Sequence, residues 1–217
     1  MARASKRGVR RSVDRAATQH LERLLWDLGY LTVAGVDEVG LGPLAGPVVA
    51  AAVAFEPGSA PLAVADSKTV SASAREALSA EVRETARAVG VGWVGRDELD
   101  DLGVRAAGLE AMRRAVGDLE PVADYLLVDA RTVPGVSVGQ TAFVRADAGV
   151  HCVAAASIVA KVARDRFMVE AAEQFPGYGF ERHMGYGTAA HLEALDRLGP
   201  CALHRRSFEP VRRRCGG

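Results

Sequence analysis

The sequence predicts an α/β fold, and three observations carry that reading. Five short apolar runs are distributed along the chain: Thr32 to Asp37, Pro47 to Phe55, Val89 to Val94, Tyr125 to Asp129 and Thr141 to Ala146. Segments with helical spacing of apolar residues lie between and after them. The length, 217 residues at 49% hydrophobic and 25% charged, suits one globular core with an appended lobe.

The elements follow in order. Residues 1–30 form a basic N-terminal tail and a helix. Arg3, Lys6, Arg7, Arg10 and Arg11 make the tail a solubilising tract with weak attraction for phosphate. From Val13 to Leu28 the pattern turns helical, with Leu21, Leu24, Leu25 and Leu28 on one face and Gly29 as the stop.

Residues 31–175 read as the core. The run P-V-V-A-A-A-V-A-F at Pro47 to Phe55 is apolar throughout, which predicts a strand buried on both faces. A loop from Glu56 to Val70 holds Asp66-Ser67-Lys68. A helix from Ser73 to Ala88 has Ser73 as its expected cap, with Glu76 three residues on. A second internal helix spans Arg105 to Leu119, and a long Ala-rich helix runs from Val153 to Phe175. On that helix Lys161 and Asp165 can pair at i, i+4. Residues 176–217 form a loop-rich C-terminal lobe with a helix from Thr188 to Leu198 and a basic tail.

The formal net charge is +0, so no global pull toward nucleic acid is visible, although a neutral chain can carry a local basic face. Cys152, Cys201 and Cys215 fit no zinc spacing, and their odd count argues against a disulfide framework. Reduced thiols in the cytoplasm are the simplest expectation. No run is apolar enough to span a bilayer, and no apolar signal core follows the basic N-terminus. His151, His183, His191 and His204 are not spaced as a metal set and read as packing or surface residues.

Chemistry concentrates where strands end. The stretch V-A-G-V-D-E-V-G-L-G-P-L-A-G-P, Val33 to Pro47, puts Asp37 and Glu38 before a turn of Gly40, Leu41, Gly42 and Pro43. Strand side chains alternate between faces, so this pair can serve one site only if the strand stops there and the chain swings round. Taken alone, the pair is as well read as a solvated strand end. Asp129 closes the fourth strand, however, and Asp147 follows the fifth. Four carboxylates delivered to one sheet edge would repel unless protons or cations intervened. Mg²⁺ takes oxygen ligands. Two such ions about 3.5–4 Å apart clamp both oxygens of a phosphoryl displacement.

At this point the chain resembles a known family, bacterial ribonuclease HII. The likeness lies in Val33 to Val53, in D-S-K at Asp66 to Lys68, in L-L-V-D at Leu126 to Asp129 and in Ala146-Asp147. It continues through A-A-A-S-I-V-A-K-V-A-R-D-R at Ala154 to Arg166, Y-G-F at Tyr178 to Phe180, G-Y-G-T at Gly185 to Thr188 and H-R-R-S-F-E-P-V at His204 to Val211. The resemblance implies a ribonuclease H-like mixed five-stranded sheet flanked by helices, with a helical C-terminal lobe. It implies a monomeric endonuclease that cuts the RNA strand of RNA–DNA hybrids, and cuts 5′ of single ribonucleotides embedded in duplex DNA. Asp37, Glu38, Asp129 and Asp147 would hold two Mg²⁺ or Mn²⁺ ions, one activating water and the other stabilising the leaving 3′-oxygen. The products would be 3′-hydroxyl and 5′-phosphate ends. Backbone groups of Gly40, Leu41 and Gly42, with Tyr186, would read the ribose 2′-hydroxyl. Lys68 and Ser67 would contact phosphate.

Three positions depart from the family's pattern. Leu41 stands where the family's turn has Arg. Asp129-Ala130-Arg131 stands for D-G-N, so Ala130 is strained if that position needs positive φ. His183-Met184-Gly185 stands for H-K-G. Two other readings therefore stay open: a relative that binds hybrid without cutting it, and another nuclease built on the same sheet.

Overall fold

The computed structural model describes residues 17–64 and 70–215. Ser67 and Lys68 lie outside the described residues. The described chain runs α1 (His20–Asp27), β1 (Val33–Val39), β2 (Val48–Ala54), α2 (Ala72–Thr85), β3 (Ala88–Val94), α3 (Arg96–Leu102) and α4 (Val104–Gly117). It continues with β4 (Tyr125–Asp129), β5 (Gly139–Phe143), a 3₁₀ turn (Ala146–Ala148), α5 (His151–Gln174), α6 (Phe180–His183), α7 (Ala189–Leu198) and α8 (Glu209–Arg212).

The five strands form one mixed sheet in the order β3-β2-β1-β4-β5. β1 pairs antiparallel with β2 and parallel with β4, and β4 pairs parallel with β5. The C-terminal ends of β1, β4 and β5 therefore share one edge. With Val36 beside Val128, Asp37 and Asp129 fall at neighbouring levels of that edge.

β2 is built from Val and Ala alone, and every residue in it is buried. Small side chains there let helices press on both faces. α4 covers one face around Ala34, Val36, Ala50 and Ala52. α5 covers the other, with Ala154 to Ala156, Ile158 and Val159 against Val33, Ala51 and Val53. At Gly35 the approach is so close that an added Cβ would lie 2.2 Å from the Cys152 carbonyl carbon. A third cluster packs Tyr178, Phe180, Leu195 and Val211 onto Leu44, Ala45 and Met168, which seats the C-terminal segment against α5 and the β1–β2 turn.

Several boundaries differ from the sequence reading. The inner face of α1 is Leu21, Leu25 and Trp26, while Leu24 and Leu28 are 49% and 76% exposed. The fully buried Glu22 holds that rotation, because its Oε1 accepts the Cys152 N–H at 2.8 Å. Gly29 ends the helix region with φ +96°. The cap of α2 is Ser71, not Ser73: its Oγ accepts from the Ala74 N–H. Ala88 leaves that helix because it pairs with Ala54 in the sheet. The acidic segment Arg96–Leu102, unassigned from sequence, is α3. The fifth strand stops at Phe143, and Asp147 sits on the 3₁₀ turn instead of a strand end. Arg145 in the left-handed region, φ +62°, turns the chain out of the ladder there. The expected Lys161–Asp165 pair is present at 2.5 Å.

Candidate active site

β1 runs on to Val39, so Asp37 and Glu38 point to opposite faces of the sheet, contrary to the simple expectation that the strand ends at the pair. Asp37 faces α5, is 5% exposed and is hydrogen-bonded to Ser157. Its Oδ1 also accepts the N–H of Glu38 at 2.8 Å. Glu38 faces α4, where it shares a cavity of about 220 Å³ with Leu41, Arg105, Met112, Asp129 and Arg131. The two faces meet at the sheet edge, where β1 and β4 end side by side.

Asp129 closes this corner. Its Oδ1 accepts the Ala146 N–H at 2.7 Å, which draws the turn carrying Asp147 back onto the end of β4. Asp147 is 5% exposed. Burial pushes the Asp37 carboxyl well above the ordinary aspartate range; Glu38, Asp129 and Asp147 push it in the same direction, and the Ser157 hydrogen bond opposes them. The other three acids are thus within electrostatic reach of the buried Asp37 carboxyl.

They are gathered without being closed. Among the described residues, no three His, Cys, Asp or Glu side chains draw round one point tightly enough to hold an ion as they stand. The donor set still suits a hard divalent cation. Every candidate ligand is a carboxylate oxygen, and cationic charge would offset the cost of ionising Asp37.

The glycine turn lies beside this corner. Gly40 has φ +91°, and a Cβ there would meet the Arg164 side chain at 2.4 Å and the Pro47 carbonyl at 2.8 Å. Leu41 packs toward α4, where a Cβ on Gly108 would lie 3.0 Å from its Cδ2. The Tyr186 ring is 47% exposed and stands over the turn, its Cε1 at 3.8 Å from a Cβ placed on Gly42.

The backbone of Tyr186 is pinned by histidines. His191 Nδ1 sits 2.9 Å from the Tyr186 carbonyl, so Nδ1 carries the proton and Nε2 is bare. His204 Nδ1 accepts the Cys201 N–H, so its Nε2 carries the proton. His204 Nε2–H therefore donates to His191 Nε2 across 3.0 Å. Burial lowers the affinity of both rings for a further proton, His204 to about 4. The expectation of packing histidines holds for these two, which are fully buried; His183 is half-buried and stacks on His191 at 4.4 Å.

Sequence reasoning passed over Ser157, Arg105 and Arg131, and also the buried guanidiniums of Arg164 and Arg205. Arg131 carried a weak signal, as a cation directly after the Asp129-Ala130 pair. Ser157, Arg164 and Arg205 stood within the motifs that carry the resemblance, without a role attached to them, and Arg105 carried no signal. Ala130 does take positive φ, +57°, as does Met184 at +50°.

Comparison with known proteins accords with this geometry. Residues 34–211 match the family model for ribonuclease HII. A ribonuclease HII of Geobacillus thermodenitrificans is 46% identical over 219 residues, covering 100% of this chain and 84% of that protein. The crystal structure of ribonuclease H2 from Pyrococcus horikoshii superposes with a TM-score of 0.69 at 26% identity, covering 84% of this chain and 96% of that one. The ribonuclease HII of Archaeoglobus fulgidus, solved in complex with PCNA, gives 0.70 at 28% identity, covering 82% and 96%. The mixed five-stranded sheet, its flanking helices and the match across the core agree: the chain belongs to the ribonuclease HII family and is a ribonuclease H type 2 enzyme.

Proposed function

We propose that this enzyme cuts the RNA strand of RNA–DNA hybrids and cuts 5′ of single ribonucleotides embedded in duplex DNA, leaving 3′-hydroxyl and 5′-phosphate ends. The observation that carries the reading is the meeting of Asp37, Glu38, Asp129 and Asp147 at one sheet edge beside the Gly40–Gly42 turn. These four acids hold Mg²⁺ or Mn²⁺ ions, which when bound supply Lewis-acid charge at the scissile phosphate.

The remaining work falls to the chain's own residues. Ser157 and the Glu38 N–H fix the Asp37 carboxylate, and the Ala146 N–H fixes that of Asp129. The turn and the Tyr186 ring form a surface where a ribose 2′-hydroxyl is read, because only that group separates RNA from DNA at the cut. Arg105 and Arg131, both exposed on the wall of the acid cavity, take backbone phosphates beside the cleavage point. The segment 176–217 acts as a substrate-binding lobe that presents Tyr186, and Ser67 and Lys68 contribute phosphate contacts. No helix among the described residues is long and apolar enough to cross a membrane.

End-labelled duplexes test this reading. One carries a single ribonucleotide, one carries four in a row, and one is a continuous hybrid. Cleavage on the 5′ side of the ribonucleotide with 3′-hydroxyl ends is expected. Cleavage of all-DNA duplexes at comparable rates would refute it.

A further inference from the structure

Two arginines are buried behind the glycine turn, Arg164 at 1% and Arg205 at 0% exposure. Both hydrogen-bond to backbone carbonyls. Arg205 donates Nη2 to Gly40 O at 2.6 Å, Gly46 O at 2.8 Å and Pro47 O at 3.1 Å. It donates Nε to Gly46 O and Nη1 to Leu41 O. Arg164 donates Nε to Pro47 O at 3.0 Å, Nη2 to Ala45 O at 3.1 Å and Nη1 to Met184 O at 3.0 Å.

Such a pair is expensive. Each guanidinium is desolvated, and the charge of Arg164 works against that of Arg205, whose affinity for its proton falls to about 9 while still leaving it charged at neutral pH. Apolar side chains of the same volume would cost the fold less. What they could not do is hold two separate loops in one register. Arg164 grips Pro47 and Ala45 with two of its nitrogens and Met184 with the third, so one rigid fork ties the β1–β2 turn to the segment preceding Tyr186. Leu44 N–H to Gly185 O at 2.8 Å runs alongside. Arg205 rotates the Gly40 and Leu41 carbonyls inward, away from the surface a polyanion would meet.

We propose that Arg164 and Arg205 are positioning residues for ribose discrimination, setting the gap between the Gly40–Gly42 turn and the Tyr186 ring without touching substrate. The inference rests on the proposed function and deepens it. Lysine keeps the charge but loses the fork, so Arg164→Lys and Arg205→Lys are the informative variants. The readout is the ratio of dissociation constants for an all-DNA duplex and the same duplex with one ribonucleotide, measured with Ca²⁺ in place of Mg²⁺.

Wild type should favour the ribonucleotide duplex, and each variant should lose that preference by about tenfold. A role in folding alone lowers the active fraction and leaves the ratio where it was. An unchanged ratio in both folded variants overturns the inference. Absence of any preference in wild type instead overturns the functional reading beneath it. Should the variants not fold, the Arg164 and Arg205 Nε–H resonances of wild type decide. Shifts on adding the ribonucleotide duplex but not the all-DNA duplex support the proposal, and identical spectra with both overturn it.

Discussion

The Asp129 carboxylate accepts the Ala146 N–H at 2.7 Å, and this bond joins the end of β4 to the turn that carries Asp147. One side chain thus joins a structural duty to its proposed chemical one. The two separate by mutation. Asp129→Asn keeps an acceptor oxygen, so melting should stay close to wild type while cleavage is lost. Asp129→Ala leaves the Ala146 N–H without that partner and should cost a further 1–3 kcal/mol or so of stability. Chemical denaturation and single-turnover cleavage of both variants check the pair.

Ala130 follows immediately, at φ +57°. A left-handed alanine costs about 1 kcal/mol relative to glycine, partly offset by the entropy glycine loses on folding. Ala130→Gly should therefore raise stability by a few tenths to about 1 kcal/mol, read from the urea midpoint. A loss of stability would mean that the alanine methyl makes packing contacts worth more than the strain.

Gly35 gives the opposite case. A Cβ there would overlap the α5 backbone at Cys152, which has no flexible end to move aside. Gly35→Ala should cost about 3 kcal/mol or more, near the upper end for overpacking. Thermal melting would register it, and an unchanged midpoint would show that α5 can lift from the sheet.

The buried histidines set an acid limit. His204 and His151 each titrate near 4 in the folded chain, against an ordinary value of 6.5. Their folded-state values are depressed, so the unfolded chain takes up protons first as pH falls. Stability is full above about pH 6.5 and drains between there and about pH 4, by up to about 3 kcal/mol for His204. His204→Asn should be less stable at pH 7 and show a shallower decline over that window. A profile as steep as wild type would contradict the assignment.

Arg131 and Arg105 line the cavity that holds Glu38 and Asp129. If they take phosphate, Arg131→Ala should raise KM severalfold and flatten the log–log salt dependence of binding by about one charge. An unaltered salt slope would place the side chain outside the nucleic-acid path.

Much of this was legible in the sequence because it depends on local pattern. The all-apolar run at Pro47 to Phe55 marked a strand covered on both faces, and β2 is that strand. Asp37, Glu38, Asp129 and Asp147 stood out because each closes or follows an apolar run. What could not be read was long-range. Asp147 reaches the corner through a left-handed Arg145 and a hydrogen bond to Asp129, not through the end of a strand. The inward face of α1 was misjudged because a buried Glu22, bonded to Cys152 more than a hundred residues away, outweighs leucine spacing. Arg164 stood in the Ala-rich helix and Arg205 in the basic tail, and nothing in either stretch marked a guanidinium as buried. Their burial follows from carbonyls that only the folded turn supplies.

Metal-dependent cleavage by wild type and by Asp37→Asn is the most direct measurement. A duplex with one embedded ribonucleotide is titrated with Mg²⁺ and Mn²⁺, and metal binding is followed by calorimetry on the same samples. Wild type should bind the ions and cut beside the ribonucleotide. The variant should remain folded, bind them more weakly and lose cleavage by several orders of magnitude. Wild-type cutting rates in Asp37→Asn, or cutting by either protein after exhaustive chelation, would contradict a carboxylate-held metal site at this corner.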